Sequence, residues 1–199
     1  MGKLLIPREK YLASGLHIGM KTVNEKMKDF IFRKRKDGLA IFDLEELDKR
    51  IRIAAKFIAK KKRILVVGRK TIAHTAIKKF AEIINANYKT GRYIPGMLTN
   101  PQTESFCEAD VLIVTDPFSD RQAINDAVKA RVPIIAICDS SNEIRDVDLI
   151  IPANNKGKKA IATLYWLLAR EILKERGEIK DYKEFKYKVD DFFSHLKEK

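Results

Sequence analysis

I-L-V-V-G-R-K, residues 64–70, decides how this chain is read. Four branched apolar residues running into a glycine have the pattern of a strand buried on both faces, as in a parallel sheet. In nucleotide-binding folds such a strand leads into G-x-G-x-x-G or G-x-x-x-x-G-K-[ST], whose backbone amides cradle a phosphate group. Here the single Gly68 is followed by Arg69, Lys70 and Thr71, with no second glycine. Two cations stand where the phosphate loop belongs, so no cofactor is expected.

Similar runs lie on either side. L-A-I-F (39–42), V-L-I-V (111–114), I-I-A-I-C (134–138) and L-I-I (149–151) are strand candidates, with a shorter one at N-Y-K-T (87–90). Helical spacing separates them. Leu44, Leu47, Ile51, Ala54, Ala55 and Ile58 mark one helix, with Asp43 as N-cap and Glu46 completing a capping box. Ile72, Ala73, Ala76, Ile77, Phe80, Ile83 and Ile84 mark a second; Ser119 and Gln122 open a third over Ala123, Ile124, Ala127 and Val128. A fourth runs from about Lys158 to Glu175. Strands alternating with helices of this length predict βαβ units in a three-layer, doubly wound α/β domain spanning 39–176. Residues 1–38 lack a clear period and are taken as a basic N-terminal arm with room for one short helix. In residues 177–199, Tyr182, Phe185, Val189, Phe192, Phe193 and Leu196 fall on one face of a C-terminal amphipathic helix, with Asp181 and Glu184 as its capping box.

The net charge of +13 is unevenly placed: residues 1–100 carry 24 Lys/Arg against 9 Asp/Glu, while residues 101–173 carry 8 against 11. A positive field concentrated on one part of a domain suits a polyanion, most often nucleic acid. No apolar run approaches the roughly 18 residues needed to span a bilayer, and no basic amphipathic helix suits a membrane surface. M-G-K-L-L-I-P-R-E-K is too short in apolar residues for a secretory signal, and Ile6 breaks a myristoylation motif. A cytoplasmic protein is expected. Cys107 and Cys138 form no C-x-x-C pair, and His17, His74 and His195 lie far apart, which leaves a zinc site without ligands.

An enzyme would place its groups at the carboxyl ends of the strands. Asp43, Asp116 and Asp139 stand there and invite a Mg²⁺ reading, against which an Asp after a strand is ordinarily a turn former or helix cap. Neither His17 nor His74 follows a sheet strand, so no nucleophile–base pair can be assembled. Catalysis and a small-molecule substrate are not expected.

Several segments, in order, resemble one family. Y-L-A-S-G-L-H-I-G-M-K-T (11–22) is similar to its small-x-H-x-G element, and M-K-D-F-I-F-R-K-R-K-D-G-L-A-I-F-D-L (27–44) to its basic lead into a strand and helix. G-R-Y-I-P-G-M-L-T-N-P (91–101) resembles its Arg-aromatic and Gly-Met-Leu-Thr-Asn block. D-V-L-I-V-T-D-P, V-P-I-I-A-I-C-D-S and D-L-I-I-P-A-N, within 110–154, follow its Asp-Pro, Pro-led strand and Ile-Pro-x-Asn signals. The family is the universal small-subunit ribosomal protein S-two, whose eukaryotic relatives are called ribosomal protein SA or the laminin-receptor family. The likeness covers roughly residues 8–173. Bacterial members carry a helical-hairpin insertion after the Gly-Met-Leu-Thr-Asn block that this chain lacks, and Tyr93 and Pro95 stand where they tend to have Trp and Gly. Both departures point to the archaeal or eukaryotic branch. Abundant Lys, Glu and Ile, with glutamine only at positions 102 and 122, favour an archaeal hyperthermophile.

The resemblance implies a flavodoxin-like scaffold without catalysis, docked on 16S-type rRNA near the head–body junction of the small subunit and touching neighbouring ribosomal proteins. Clustered cations near loops are the RNA-binding candidates: Lys21, Lys26 and Lys28, then Arg33, Lys34, Arg35 and Lys36, with Phe30 and Phe32 offering faces for stacking. Arg69, Lys70 and Arg92 join them at strand ends, with Asn100 as a polar neighbour, and Lys156, Lys158 and Lys159 surround Gly157 at a helix start. Lys60 to Arg63 end a helix, where cations also offset its dipole. Tyr182, Phe185, Phe192 and Phe193 either fold back on the domain or meet a partner protein. Three readings stay in competition: a ribosomal protein, a free-standing nucleotide or phosphosugar enzyme, and a protein-interaction module working through its tail.

Overall fold

A computed structural model describes residues 4–193. In chain order the regular elements are α1 (Arg8–Ser14), β1 (Ile31–Lys34), β2 (Ala40–Phe42), α2 (Leu44–Ala59), β3 (Ile64–Gly68), α3 (Thr71–Ile84), β4 (Asn87–Thr90), β5 (Val111–Val114), α4 (Arg121–Ala130), β6 (Ile134–Cys138), β7 (Leu149–Pro152) and α5 (Lys158–Glu175). Five strands pair in parallel in the order β4-β3-β5-β6-β7. That is the flavodoxin-like order, with its direction of winding reversing between β3 and β5.

Alternation along each strand divides the core in two. Ile64, Val66, Val111, Ile113, Ile135, Ile137 and Ile151 face α2, α3 and α5. Leu65, Val67, Leu112, Val114, Ala136 and Cys138 face the other way, under α4, the loop residues Tyr93, Met97 and Leu98, and Met27, Phe30 and Phe42. Three layers result, the second face being covered by a single α-helix, the loop after β4, the 3₁₀ turn Glu25–Phe30 and β2. Gly96, in that loop at φ +90°, donates its N–H to Asp126 of α4 at 2.8 Å.

Four expectations need correction. Residues 39–42 do not join the parallel sheet; β2 pairs antiparallel with β1 in a separate two-stranded ribbon, and β4 takes the edge position. Only Ala40 and Phe42 of that run are buried, the alternation of a half-covered strand. Asp43 does cap α2, accepting from the Glu45 amide at 2.9 Å, but Glu46 pairs with Lys49 and Arg50 instead of closing a capping box. α4 starts at Arg121: Ser119 turns back to Asp116 at 2.9 Å, Gln122 reaches forward to Asp126, and Val128 is half exposed.

The fourth correction is the tail, which is not an α-helix over its described part. Two single 3₁₀ turns, Tyr182–Glu184 and Val189–Phe192, are separated by extended chain. Carboxylates close these turns locally, Glu184 accepting from the Lys180 amide and Asp191 from the Lys188 amide, both at 2.8 Å. Aromatic contacts then spread the segment along α5. Tyr182 covers Arg170 with its ring 4.2 Å away, Phe185 meets Trp166 edge to face at 5.9 Å, and Trp166 Nε1 donates to the Tyr187 carbonyl at 2.8 Å. Phe192 is 1% exposed. Leu196 lies outside the described residues.

Before residue 39 the chain is closely tied to the body. Tyr11, Leu16 and Met27 are fully buried. Asp48 of α2 accepts the Leu5 amide at 2.7 Å and the Tyr11 hydroxyl, while Arg170 Nη2 donates to the Leu5 carbonyl at 3.0 Å. Residues 17–20 run beside β2, with Gly19 N donating to Ala40 O at 2.8 Å and Phe42 N to His17 O at 2.9 Å.

Candidate nucleic-acid interface

The crevice where a doubly wound sheet holds its ligand lies at the carboxyl ends of β3 and β5. Gly68 ends β3 because nothing larger fits: a Cβ there would meet Ile77 Cδ1 and stand 2.8 Å from Thr115 Oγ1. Its glycine serves packing rather than phosphate approach. The next amide, of Arg69, is taken by Asp120 Oδ1 at 2.9 Å. Lys70 reaches across to Asp116, with Nζ 2.5 Å from Oδ2. Asp116 also accepts from Ser119 Oγ (2.9 Å), Asn142 Nδ2 (3.0 Å) and the Phe118 amide (3.2 Å). Burial pushes the Asp116 pKa up, but the Lys70 ammonium and these donors outweigh it and hold the carboxyl below its ordinary value. For Asp120, burial dominates over the amides it accepts and raises its pKa to about 6.

At β6 and β7 the crevice is filled by the protein itself. The Met20 amide donates to Ser140 Oγ at 2.8 Å, the Ser140 hydroxyl bonds to Thr22 O at 3.0 Å, and the Asn24 amide reaches Ser140 O at 2.8 Å. A Cβ on Gly19 would stand 2.9 Å from Ser140 Oγ. Asn154 holds the other side, its Nδ2 donating to Gly15 O at 3.0 Å. Residues 15–24 therefore cover the carboxyl ends of β6 and β7, beside the switch point.

The three strand-end aspartates have separate duties. Asp43 caps α2, Asp116 pairs with Lys70, and Asp139 accepts from the Ser140 amide at 2.7 Å and faces Lys156 at 3.5 Å. Among the described residues no group of three or more His, Cys, Asp or Glu side chains is arranged to hold a metal.

The cations fall into two sets. Arg63 is structural: its guanidinium bonds Asp110 Oδ1 at 2.8 Å and pairs with Glu108, linking the starts of β3 and β5. Lys61 lies over the Phe57 ring at 4.9 Å. Lys70 and Lys156 are engaged as described, and the amides of Lys156 and Gly157 are met by Asn154 Oδ1 at 2.9 and 3.1 Å, so the start of α5 is partly closed to an anion. Lys158 and Lys159 follow in its first turn.

The second set points outward. β1 carries a bulge: Ile31 pairs with Phe42 and Arg33 with Ile41, leaving Phe32 as the extra residue. A bulge re-aims the side chains around it, and Phe32, Arg33 and Lys34 are all exposed. A tight turn follows, with Gly38 at φ +87° donating to Arg35 O at 2.9 Å. Arg35 pairs with Asp37 at 3.1 Å, both half exposed; Arg33, Lys34 and Lys36 are exposed and drawn into no ion pair among the described residues. The Lys21 stem passes 3.8 Å from where a Cβ of Gly38 would stand, which brings it to the same turn. Lys26 and Lys28 are exposed on the 3₁₀ turn Glu25–Phe30 that feeds β1, Lys28 facing Glu25 at 3.7 Å. Arg92 and Asn100 are exposed on the loop after β4, away from regular structure.

Phe30 corrects an expectation: it is buried, with Arg50 5.0 Å above its ring, so only Phe32 offers a free face. Two residues escaped the sequence reading. Arg8 lines a groove with Arg33 and Arg35, a convergence no local pattern announces. Phe118 is 86% exposed at the end of β5; an aromatic directly after Asp-Pro at a strand end was the available signal.

The domain is thus flavodoxin-like, with its strand ends occupied by its own side chains and N-terminal segment and with cations presented on a bulged ribbon. The sequence matches the family model Ribosomal protein S2 over residues 11–106 and 107–175. It is 48% identical to the small ribosomal subunit protein uS2 of Thermoplasma acidophilum over 98% of both chains. The uS2 protein of Picrophilus torridus is 46% identical over 96% of both, and that of Ignicoccus hospitalis 48% identical over 89% of this chain and 85% of its own. The chain belongs to the ribosomal protein S2 family. These relatives are archaeal ribosomal proteins, not enzymes, and this member is likewise non-catalytic. No helix among the described residues is long and apolar enough to cross a membrane.

Proposed function

We propose that the protein is a structural component of the small ribosomal subunit, binding 16S-type rRNA near the head–body junction and working in the cytoplasm as part of the ribosome. The observation that carries this reading is the bulged ribbon and its turn, which hold Arg33, Lys34, Arg35 and Lys36 outward, with one exposed carboxylate, Asp37, directly after them. Cations so placed neutralise phosphates and release counterions. Lys21, Lys26 and Lys28 extend the contact, and Arg69 and Arg92 add to it from strand ends. Lys70 and Lys156, each tied to an aspartate, serve chiefly to hold the crevice shut. Neighbouring ribosomal proteins meet the acidic half and the tail, whose outward rings are Tyr182 and Tyr187.

The test is reconstitution. Protein is added to small subunits stripped of their own copy and sedimented across a salt series. Stoichiometric binding that weakens steeply with salt is expected. Changing Arg33, Lys34, Arg35 and Lys36 to Gln should flatten the logarithmic salt slope by roughly 0.7–0.9 for each phosphate left without its cation. Absence of binding at every salt concentration overturns the assignment.

A further inference from the structure

We propose that the groove between α1, β1 and the start of α2 is a pocket for one unstacked RNA nucleotide, its base laid on Phe32 and its phosphate held by Arg8, Arg33 and Arg35. The inference rests on the reading of β1 as an RNA contact and names what that contact reads. The groove has a volume of about 480 Å³, inside the range of roughly 300–1,000 Å³ usual for small-ligand sites. It is too small for a duplex or a docked helix.

Its lining combines an aromatic ring, apolar side chains, three arginines and two carboxylates. Phe32 is 64% exposed, the extra residue of the bulge, and Leu12 beside the groove is half exposed. An aromatic ring turned to solvent next to guanidinium groups forfeits burial unless a flat partner covers it, and a base both covers it and brings a phosphate to the cations. Glu45 and Asp43 also line the groove; a carboxylate there accepts from the amino or imino groups of a base. The arginines would take the phosphate and a carboxylate the base edge. His17 forms a further wall; burial holds its pKa below the ordinary value. An acidic peptide would satisfy the arginines but leave the ring of Phe32 without a stacking partner.

The experiment uses the full chain bound to stripped small subunits. Irradiation at 254 nm followed by mass spectrometry is expected to join Phe32 to a single rRNA nucleotide. Phe32→Ala should weaken subunit binding between about 5-fold and 100-fold without altering its salt dependence, and Phe32→Trp should restore it. Because Phe32 is exposed, neither change threatens folding. If the charge-neutral ribbon variant loses salt dependence while Phe32→Ala binds as the parent does, the pocket is wrong and the RNA reading stands. If neither variant differs from the parent, β1 is not the RNA contact at all. A cross-link from Phe32 to a protein neighbour also overturns the pocket and makes the groove a protein interface.

Discussion

Lys70 and Asp116 meet across the point where the sheet reverses its winding, the ammonium 2.5 Å from a carboxylate that is 4% exposed. The pair stands where related folds admit a ligand.

Its removal is asymmetric. Lys70→Met strands Asp116 as a buried charge and should cost about 3 kcal/mol in denaturant unfolding at pH 7. The Asp116 pKa is depressed in the fold, so its stabilisation is present at neutral pH and lost as pH falls through the folded value. The deficit of the Met variant should therefore shrink in acid. A deficit below about 0.5 kcal/mol at neutral pH would show that Ser119, Asn142 and the Phe118 amide suffice alone.

Asp120 behaves oppositely. With a folded pKa of about 6 against an ordinary 3.8, the native state binds the extra proton, so this residue opposes folding above pH 6 and the loss is recovered as pH falls from 6 to 4. Wild type should gain on Asp120→Asn, which cannot titrate, by up to about 3 kcal/mol between pH 7 and pH 4. A difference between the two that stays flat across that window would remove Asp120 as the titrating group.

Gly19 is needed for its lack of a side chain. Gly19→Ala places a methyl 2.9 Å from Ser140 Oγ and should cost about 1–3 kcal/mol. Hydrogen exchange should locate the damage, with the Met20 amide losing protection first because its acceptor is the displaced hydroxyl. Unchanged exchange there would mean the segment shifts without loosening.

Two phenylalanines separate a packed ring from an exposed one. Phe192→Ala should cost about 3–5 kcal/mol, since its ring is enclosed by the main core. Phe118→Ala, at an exposed ring, should change stability by less than about 0.5 kcal/mol. The reverse ranking in thermal unfolding would contradict the packing of the tail.

The parallel strands were legible because Ile64–Gly68, Val111–Val114 and Ile134–Cys138 are buried on both faces and carry no polar alternation to confuse them. α5 was legible to its ends. β2 misled because three apolar residues look alike whether both faces or one are covered. The tail misled because its aromatic spacing fits a helix, while Trp166 and Arg170, more than ten positions earlier, fix where each ring settles. The outward cations of β1 could be named from sequence, but the bulge that frees Phe32 and the convergence of Arg8 on Arg33 and Arg35 depend on pairing across the ribbon and on how α1 packs.

The bond from the Met20 amide to Ser140 joins positions 120 apart. A chain made from its N-terminus at about 5–20 residues per second exposes the sealing segment many seconds before its acceptor exists. For most of that interval the basic ribbon is also exposed, while the strand ends that anchor residues 15–24 have not formed. Residues 15–24 thus reach their final bonds only after β6 and β7 have been made, so the seal over these strand ends closes late in synthesis.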